Sequence, residues 1–261
     1  KLTYKSKVGD RVEEIELPFK ALILADFTLD ERSEVFDQQK PILLDKNTIG
    51  ALFQQLKPVL NLNVEDKLSE DEGDLLIQIS IDSIDAFSPV NVMKTVPSLG
   101  ALIRFNDAIS RIADGTEAAF LEGDINLIQS VLDNESVTLE EIKANTESFG
   151  WLISSIEQRI SKQLDAIMHH PDFQRMESAW RSVQFLLERT DFNENIQLAF
   201  INLSKQALID DFDDVPEVFQ SKLYQYVYSD EYGQFGGRPY GVIIGDYEIG
   251  PAAQDIKLLQ R

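Results

Sequence analysis

No cysteine occurs in the 261 residues, so disulfides, thiol nucleophiles and cysteine metal ligands are all excluded. Histidine is nearly absent too: the two that occur, His169 and His170, stand side by side. No apolar run approaches the ~18 residues that cross a bilayer. The opening stretch KLTYKSKVGD lacks the apolar centre of a secretory leader. Basic residues are few against acids, 24 to 45, for a formal net charge of −21. Residues 1–115 carry 13 basic and 20 acidic groups, and residues 116–261 carry 11 and 25, so the acidity belongs to both halves. Gripping phosphates takes clustered Lys and Arg, which argues against a nucleic-acid or phospholipid partner, and the lack of a long apolar run argues against membrane insertion. What the chain does have is 43% apolar and 26% charged residues, enough for one or two globular domains with a sizeable core. The absence of cysteine fits a reducing cytoplasm.

The N-terminal part alternates strand and helix signals. Leu2, Tyr4, Val12, Ile15 and Leu17 show a partial period of two, and Ala21–Ala25 is a short continuous apolar run. Residues 28–41 are polar and turn-like. Asn47 or Thr48 can cap a short helix carrying Ile49, Leu52, Phe53 and Leu56, which Pro58 ends. Leu75, Ile77, Ile79 and Ile81 alternate with polar neighbours as a half-buried strand. Pro97 opens a helix with Leu99, Leu102, Ile103, Ile109 and Ile112 near helical spacing.

Near Asp114–Thr116 the character changes to helix. Phe120, Leu121, Ile125, Ile128 and Leu132 form one amphipathic segment. Thr138 and Glu141 make a capping box that opens a helix running to His169, roughly 48 Å at about 1.5 Å per residue. Pro171 starts the next, with Phe173, Met176, Trp180, Val183 and Leu187 on one stripe. Ile196–Ile201 reads as a strand, Leu208–Phe212 and Val218–Tyr228 as helices, and Tyr240–Ile244 as a buried strand. The fold class expected is mixed α/β (α+β): a small sheet-plus-helix domain over 1–115, then a helix-rich segment with long amphipathic helices and a few strands over 116–261.

The search for chemistry comes up empty. Adjacent histidines on a helix point ~100° apart and do not grip one metal from one face. They read instead as helix-terminus residues. The acidic run EDKLSEDEGD (65–74) lacks EF-hand spacing, and DDFDD (210–214) lacks the glycine turn and distal Glu. GQFGGRPYG (233–241) lacks the G-K-[ST] ending of a phosphate loop and precedes a strand, so it reads as a tight turn. No nucleophile elbow and no H-E-x-x-H is present. The chain reads as a non-enzyme with no cofactor and no metal.

Two sets of long motifs carry a family resemblance. IELPFKALILADF (15–27), FDQQKPILLDKNTIGALFQQLKP (36–58), GDLLIQISIDSIDAFSPVNV (73–92) and PSLGALIRFNDAISRI resemble the small subunit of the type VI secretion contractile sheath. HHPDFQRMESAWRSVQFLLERTDF (169–192), DDFDDVPEVFQSKLYQYVYSDEYGQFGGRPYGVIIGDYE (210–248) and DIKLL (255–259) resemble the N-terminal part of the large sheath subunit. In that family the subunits are separate polypeptides forming a heterodimer. Here they are contiguous, joining near Gly115–Thr116.

The resemblance implies a structural protein of a phage tail-like machine in the cytoplasm of a Gram-negative-type bacterium. Small/large heterodimers would build a helical tube around an inner tube and contract to drive it outward. Implied partners are other sheath protomers, the inner tube protein, the baseplate and a AAA+ recycling unfoldase. The alternative is a sheath-derived interaction module that binds the unfoldase or another sheath partner. Three site expectations follow. Leu2, Thr3, Tyr4, Lys5, Ser6, Lys7 and Val8 form an inter-protomer strand, with Lys1, Lys5 and Lys7 guarding its edge. Phe120, Leu121, Ile125, Ile128 and Leu132 form the unfoldase-recognition helix. Trp180 is a core anchor. Helices 97–113 and 138–169 have broad apolar faces, so the two parts are expected to share burial.

Overall fold

The computed structural model describes residues 2–8, 11–30, 32–36, 39–46, 48–68, 73–113, 147–232 and 236–261. It divides into two compact units, one of residues 1–58 with 178–261 and the other of residues 59–177. These units and the two sequence parts are different partitions of the chain: each unit draws on both parts.

In the first unit, strands β1 (Leu2–Val8) and β2 (Arg11–Leu17) form an antiparallel ribbon in which Leu2 faces Leu17 and Val8 faces Arg11. Pro18 separates it from β3 (Phe19–Ala25). β3 is the centre of a four-stranded sheet of order β4-β7-β3-β8, with β4 Ile42–Leu44, β7 Ile196–Asn202 and β8 Tyr240–Gly245. β7 and β8 run parallel to β3 on either side, with Leu22 level with Ala199 and Ile243; β4 is antiparallel to β7. A parallel central strand is covered on both faces, hence the nearly unbroken apolar run FKALILA. Every residue from Lys20 to Ala25 is buried.

One face of the sheet, with Leu22, Leu24, Ala199 and Ile201, packs on Phe36 and on Ala207, Leu208 and Phe212 of helix α6 (Lys205–Asp213). Ser204 caps that helix by accepting from Ala207 N, 3.0 Å away. On the other side lie Phe53 of α1 (Thr48–Leu56), Phe27, and Trp180 of α5 (Pro171–Arg189). Asn202 fastens the end of β7 to the chain leaving β3. Its side-chain oxygen accepts from Phe27 N at 2.8 Å, and its amide donates to Thr28 Oγ1 at 2.9 Å.

In the second unit, β5 (Val59–Glu65) and β6 (Asp74–Ser80) form an antiparallel hairpin with Leu60, Leu62, Val64, Ile77 and Ile79 buried. The acidic run 65–74 connects them. Helices α2 (Pro89–Thr95), α3 (Pro97–Ala113) and α4 (Glu147–Met168) complete the unit. α3 packs against α4, and α4 also packs against β5. Leu152, Ile156, Ile160 and Ile167 line the buried side of α4, and Phe87 meets Phe173 edge-on at 5.7 Å. The division between the units falls inside α5.

Three readings of the sequence need correction. Tyr240–Ile244 does form a strand, but an exposed one: Val242 and Ile243 are 38% and 44% accessible. Its apolar composition is that of a strand buried on both faces, and in this chain β8 is the last strand of the sheet. Val218–Tyr228 is not one α-helix. A 3₁₀ turn over Val218–Gln220 is followed, from Lys222, by a helical run to Tyr232 that widens into a π turn at Gln225–Ser229. Ser221, extended at φ −65° and ψ 153°, breaks the two apart and caps the second through Tyr224 N. The strand Val59–Glu65 went unread although Leu60, Leu62 and Val64 alternate with polar residues. The segment Phe120–Leu132 and residues 138–146 of the expected long helix lie outside the described residues.

Candidate interaction surfaces

Among the described residues no group of His, Cys, Asp or Glu is placed to hold a metal ion, and no helix is long and apolar enough to cross a membrane. The histidines serve helix ends. His169 Nδ1 lies 2.8 Å from Asp165 O, and His170 Nδ1 accepts from Asp172 N at 3.2 Å. Within the DDFDD run, Asp211 accepts from Lys222 N (2.7 Å) and Leu223 N (3.1 Å), capping the 222–232 run from another helix. Sequence reasoning missed this role, because a cap supplied from eleven residues away leaves no local pattern.

Trp180 is fully buried. Its ring stacks on Phe53 (3.9 Å, 24°) and meets Phe27 edge-on (5.3 Å), while Nε1–H donates to Phe27 O at 3.0 Å. One side chain thus ties α5, α1 and the exit of β3 together. A buried indole needs a partner for its N–H, and the strand end provides it.

Lys20 is the one charged residue of β3 and is 6% accessible. Its ammonium pairs with Glu231 and sits 4.1 Å from the centroid of Tyr240. Glu231 also accepts from Arg238 N at 2.7 Å, so it anchors the glycine-rich turn. That turn needs its glycines: Gly236 has φ +84°, and a Cβ at Gly237 would lie 1.8 Å from Glu231 O. Burial, and secondarily the Glu231 carboxylate, push the Tyr240 phenol well above its ordinary value. The pair floors a cleft of about 570 Å³ walled by Lys40, Leu43, Lys222 and Asp230. Within the cleft the Lys20 ammonium is paired with Glu231.

Several large apolar and aromatic side chains are exposed. Tyr224, Tyr228 and Tyr232 stack in series along the 222–232 run, 5.0 and 4.9 Å apart. Phe19 is 55% accessible and lies against Gly241 of β8. The β1–β2 ribbon, holding Leu2–Val8, is a two-stranded sheet. Among the described residues these elements define a mixed α/β protein in which no group of His, Cys, Asp or Glu is placed to hold a metal ion.

Comparison with known proteins specifies the class. Residues 1–146 match the family described as "Type VI secretion system, VipA, VC_A0107 or Hcp2", and residues 151–261 match "VipB: EvpB/VC_A0108, tail sheath N-terminal domain". The chain therefore belongs to the contractile sheath families of the type VI secretion system, joining a VipA/TssB-like part to a VipB/TssC N-terminal domain. These are structural, non-enzymatic families. Among curated relatives it is similar to the type VI secretion system sheath protein TssC1 of Pseudomonas aeruginosa (strain PAO1), 33% identical over 135 residues. That match covers 51% of this chain and 26% of the relative. It is also similar to TssB1 of the same organism, 26% identical over 114 residues, covering 42% of this chain and 65% of the relative. The chain thus spans about a quarter of the one relative and just under two thirds of the other.

Proposed function

We propose that this chain is a fused building block of the contractile sheath. Its small-subunit-like and large-subunit-like parts act together as one heterodimer-like unit, with the change of part falling between the N-terminal region 1–115 and the α4-bearing C-terminal region. Such units pack with other sheath protomers into a helical tube around the inner tube protein, on a baseplate, in the bacterial cytoplasm. The tube contracts to drive its contents outward, its energy held in repeated interfaces with two packings.

The observation that carries this reading is the mixed sheet. β3, from the small-subunit part, is flanked on both sides by β7 and β8 of the large-subunit part. In the same reading Leu2–Val8 pairs with a neighbouring protomer, and the Phe120–Leu132 segment is recognised by a AAA+ unfoldase that recycles contracted sheath. Negative-stain microscopy of the purified protein tests the assembly: rings or tubes support it, and they should be lost on deleting Lys1–Val8. Discrete single-chain particles at every concentration would favour the second reading, a sheath-derived interaction module. The short coverage of the large relative is the observation on that side.

A further inference from the structure

The sheet of the first unit is finished at β3 and β7 and unfinished at β8. β3 is buried from Lys20 to Ala25 and β7 from Leu198 to Asn202, as expected of parallel strands covered on both faces. β8 has a sequence of the same kind, YGVIIG. Yet Val242 and Ile243, which point to opposite faces, are 38% and 44% accessible. Among the described residues the edge is open as well. β8 is last in the strand order, and Asp246 N donates to Leu24 O at 2.8 Å. By alternation, the N–H and C=O groups of Ile243 and Gly245 point away from β3.

Edges meant to stay bare carry Lys, Pro or inward charge, and β8 carries none between Tyr240 and Gly245. Exposed apolar residues also follow the strand in sequence. Helix α7 (Ala253–Gln260) turns Leu258 toward the core and leaves Ile256 47% and Leu259 70% accessible; Ile249 is 41% accessible. Apolar exposure beside an unguarded edge marks a surface that binds another chain or segment.

The occupant follows from coverage. The large-subunit match is to an N-terminal domain, and most of the TssC1 relative lies outside its aligned 26%. We propose that β8 is the acceptor edge for an apolar strand supplied by the part of the large sheath subunit outside that N-terminal domain. The added strand extends the sheet past β8, and its flanking chain covers Val242, Ile243 and the bare side of α7. This rests on membership of the large-subunit family and not on the assembly proposed above, so it can stand where tube formation fails.

The absence of cysteine makes the test direct. Single variants Ile243→Cys and Leu76→Cys, the latter a control on β6 at 82% accessibility, are labelled with a maleimide. Each is labelled alone and co-expressed with the unmatched portion of P. aeruginosa TssC1 as a separate polypeptide. The portion is expected to co-purify and to slow labelling at Ile243→Cys roughly tenfold or more, the protection a paired edge confers, leaving Leu76→Cys unchanged. Ile243→Pro removes an outward N–H, a change tolerated at an edge; it should keep the circular dichroism spectrum and lose co-purification. The proposal is overturned if the portion does not co-purify with the unsubstituted chain, or if it leaves Ile243→Cys labelling unchanged. It is equally overturned if a folded Ile243→Pro variant still binds, or if Ile243→Cys is already protected in the chain alone by self-association.

Discussion

Replacing Trp180 by alanine tests the packing of the first unit at its centre. The indole is fully buried, stacked on Phe53 at 3.9 Å and edge-on to Phe27, and its N–H satisfies Phe27 O. Truncating a buried Trp costs about 3–5 kcal/mol through lost transfer energy and the cavity left behind. Phe27 O also loses its donor, a penalty of about 1–3 kcal/mol where water cannot enter. The terms overlap, because a cavity of indole size can admit water to the carbonyl, so we expect about 4 kcal/mol in total. At a urea slope of about 2 kcal/mol per molar, the midpoint falls by about 2 M. Far-UV circular dichroism is the proper readout, since the other tryptophan, Trp151, is 68% accessible and reports solvent in both states. Trp180→Phe keeps a ring on Phe53 while removing the donor and part of the indole volume, so its cost should fall between the hydrogen-bond term and that of Trp180→Ala. A loss under about 1 kcal/mol for Trp180→Ala, outside the range for truncating a buried aromatic, would refute the reasoning.

Gln163 sits fully buried in the apolar stripe of α4, accepting from Lys67 N at 2.7 Å and donating to Glu65 O at 3.2 Å. Gln163→Leu should cost about 1–3 kcal/mol by orphaning both groups, with the Lys67 amide losing hydrogen-exchange protection first. Asp211→Ala should fray the start of the 222–232 run, read as faster exchange at Lys222 and Leu223, whose amides it accepts. Asp255 accepts from Gly250 N and pairs with Lys205, and these hold its carboxyl below the ordinary value. A depressed folded pKa contributes stability that is present above the unfolded value of about 3.9 and lost as pH falls through the folded one. Asp255→Asn should therefore flatten the acid limb of stability below about pH 4 and leave the slope near neutrality unchanged, as measured by urea melts across pH.

Local periodicity made several elements legible. The stripe Phe173, Met176, Trp180, Val183, Leu187 is buried throughout, and the Ile77–Ile79–Ile81 alternation marks the buried side of β6 and the residue after it. What stayed hidden was non-local or anomalous. Gln163 interrupts an apolar stripe and looks like a solvent position, though its amide does the work of two backbone partners. Asp211 acts on amides far along the chain. β8 misled because an apolar run does not by itself say that both faces of a strand are covered: Val242 and Ile243 are 38% and 44% accessible. Most consequentially, no period in the sequence says that β3 lies between two strands found some 180 and 220 positions later, as the registers Leu22–Ala199 and Leu22–Ile243 require. The family resemblance supplied the two parts; their shared sheet came from the fold.

That shared sheet is the central claim, and separating the parts tests it most directly. Residues 1–146 and 151–261, the two family matches, would be co-expressed as separate polypeptides and analysed by native mass spectrometry. Because β3 can complete its pairing only between β7 and β8, the account predicts a one-to-one complex of the two pieces, with neither soluble when expressed alone. Two pieces that each fold and run alone, with no complex between them, would contradict it.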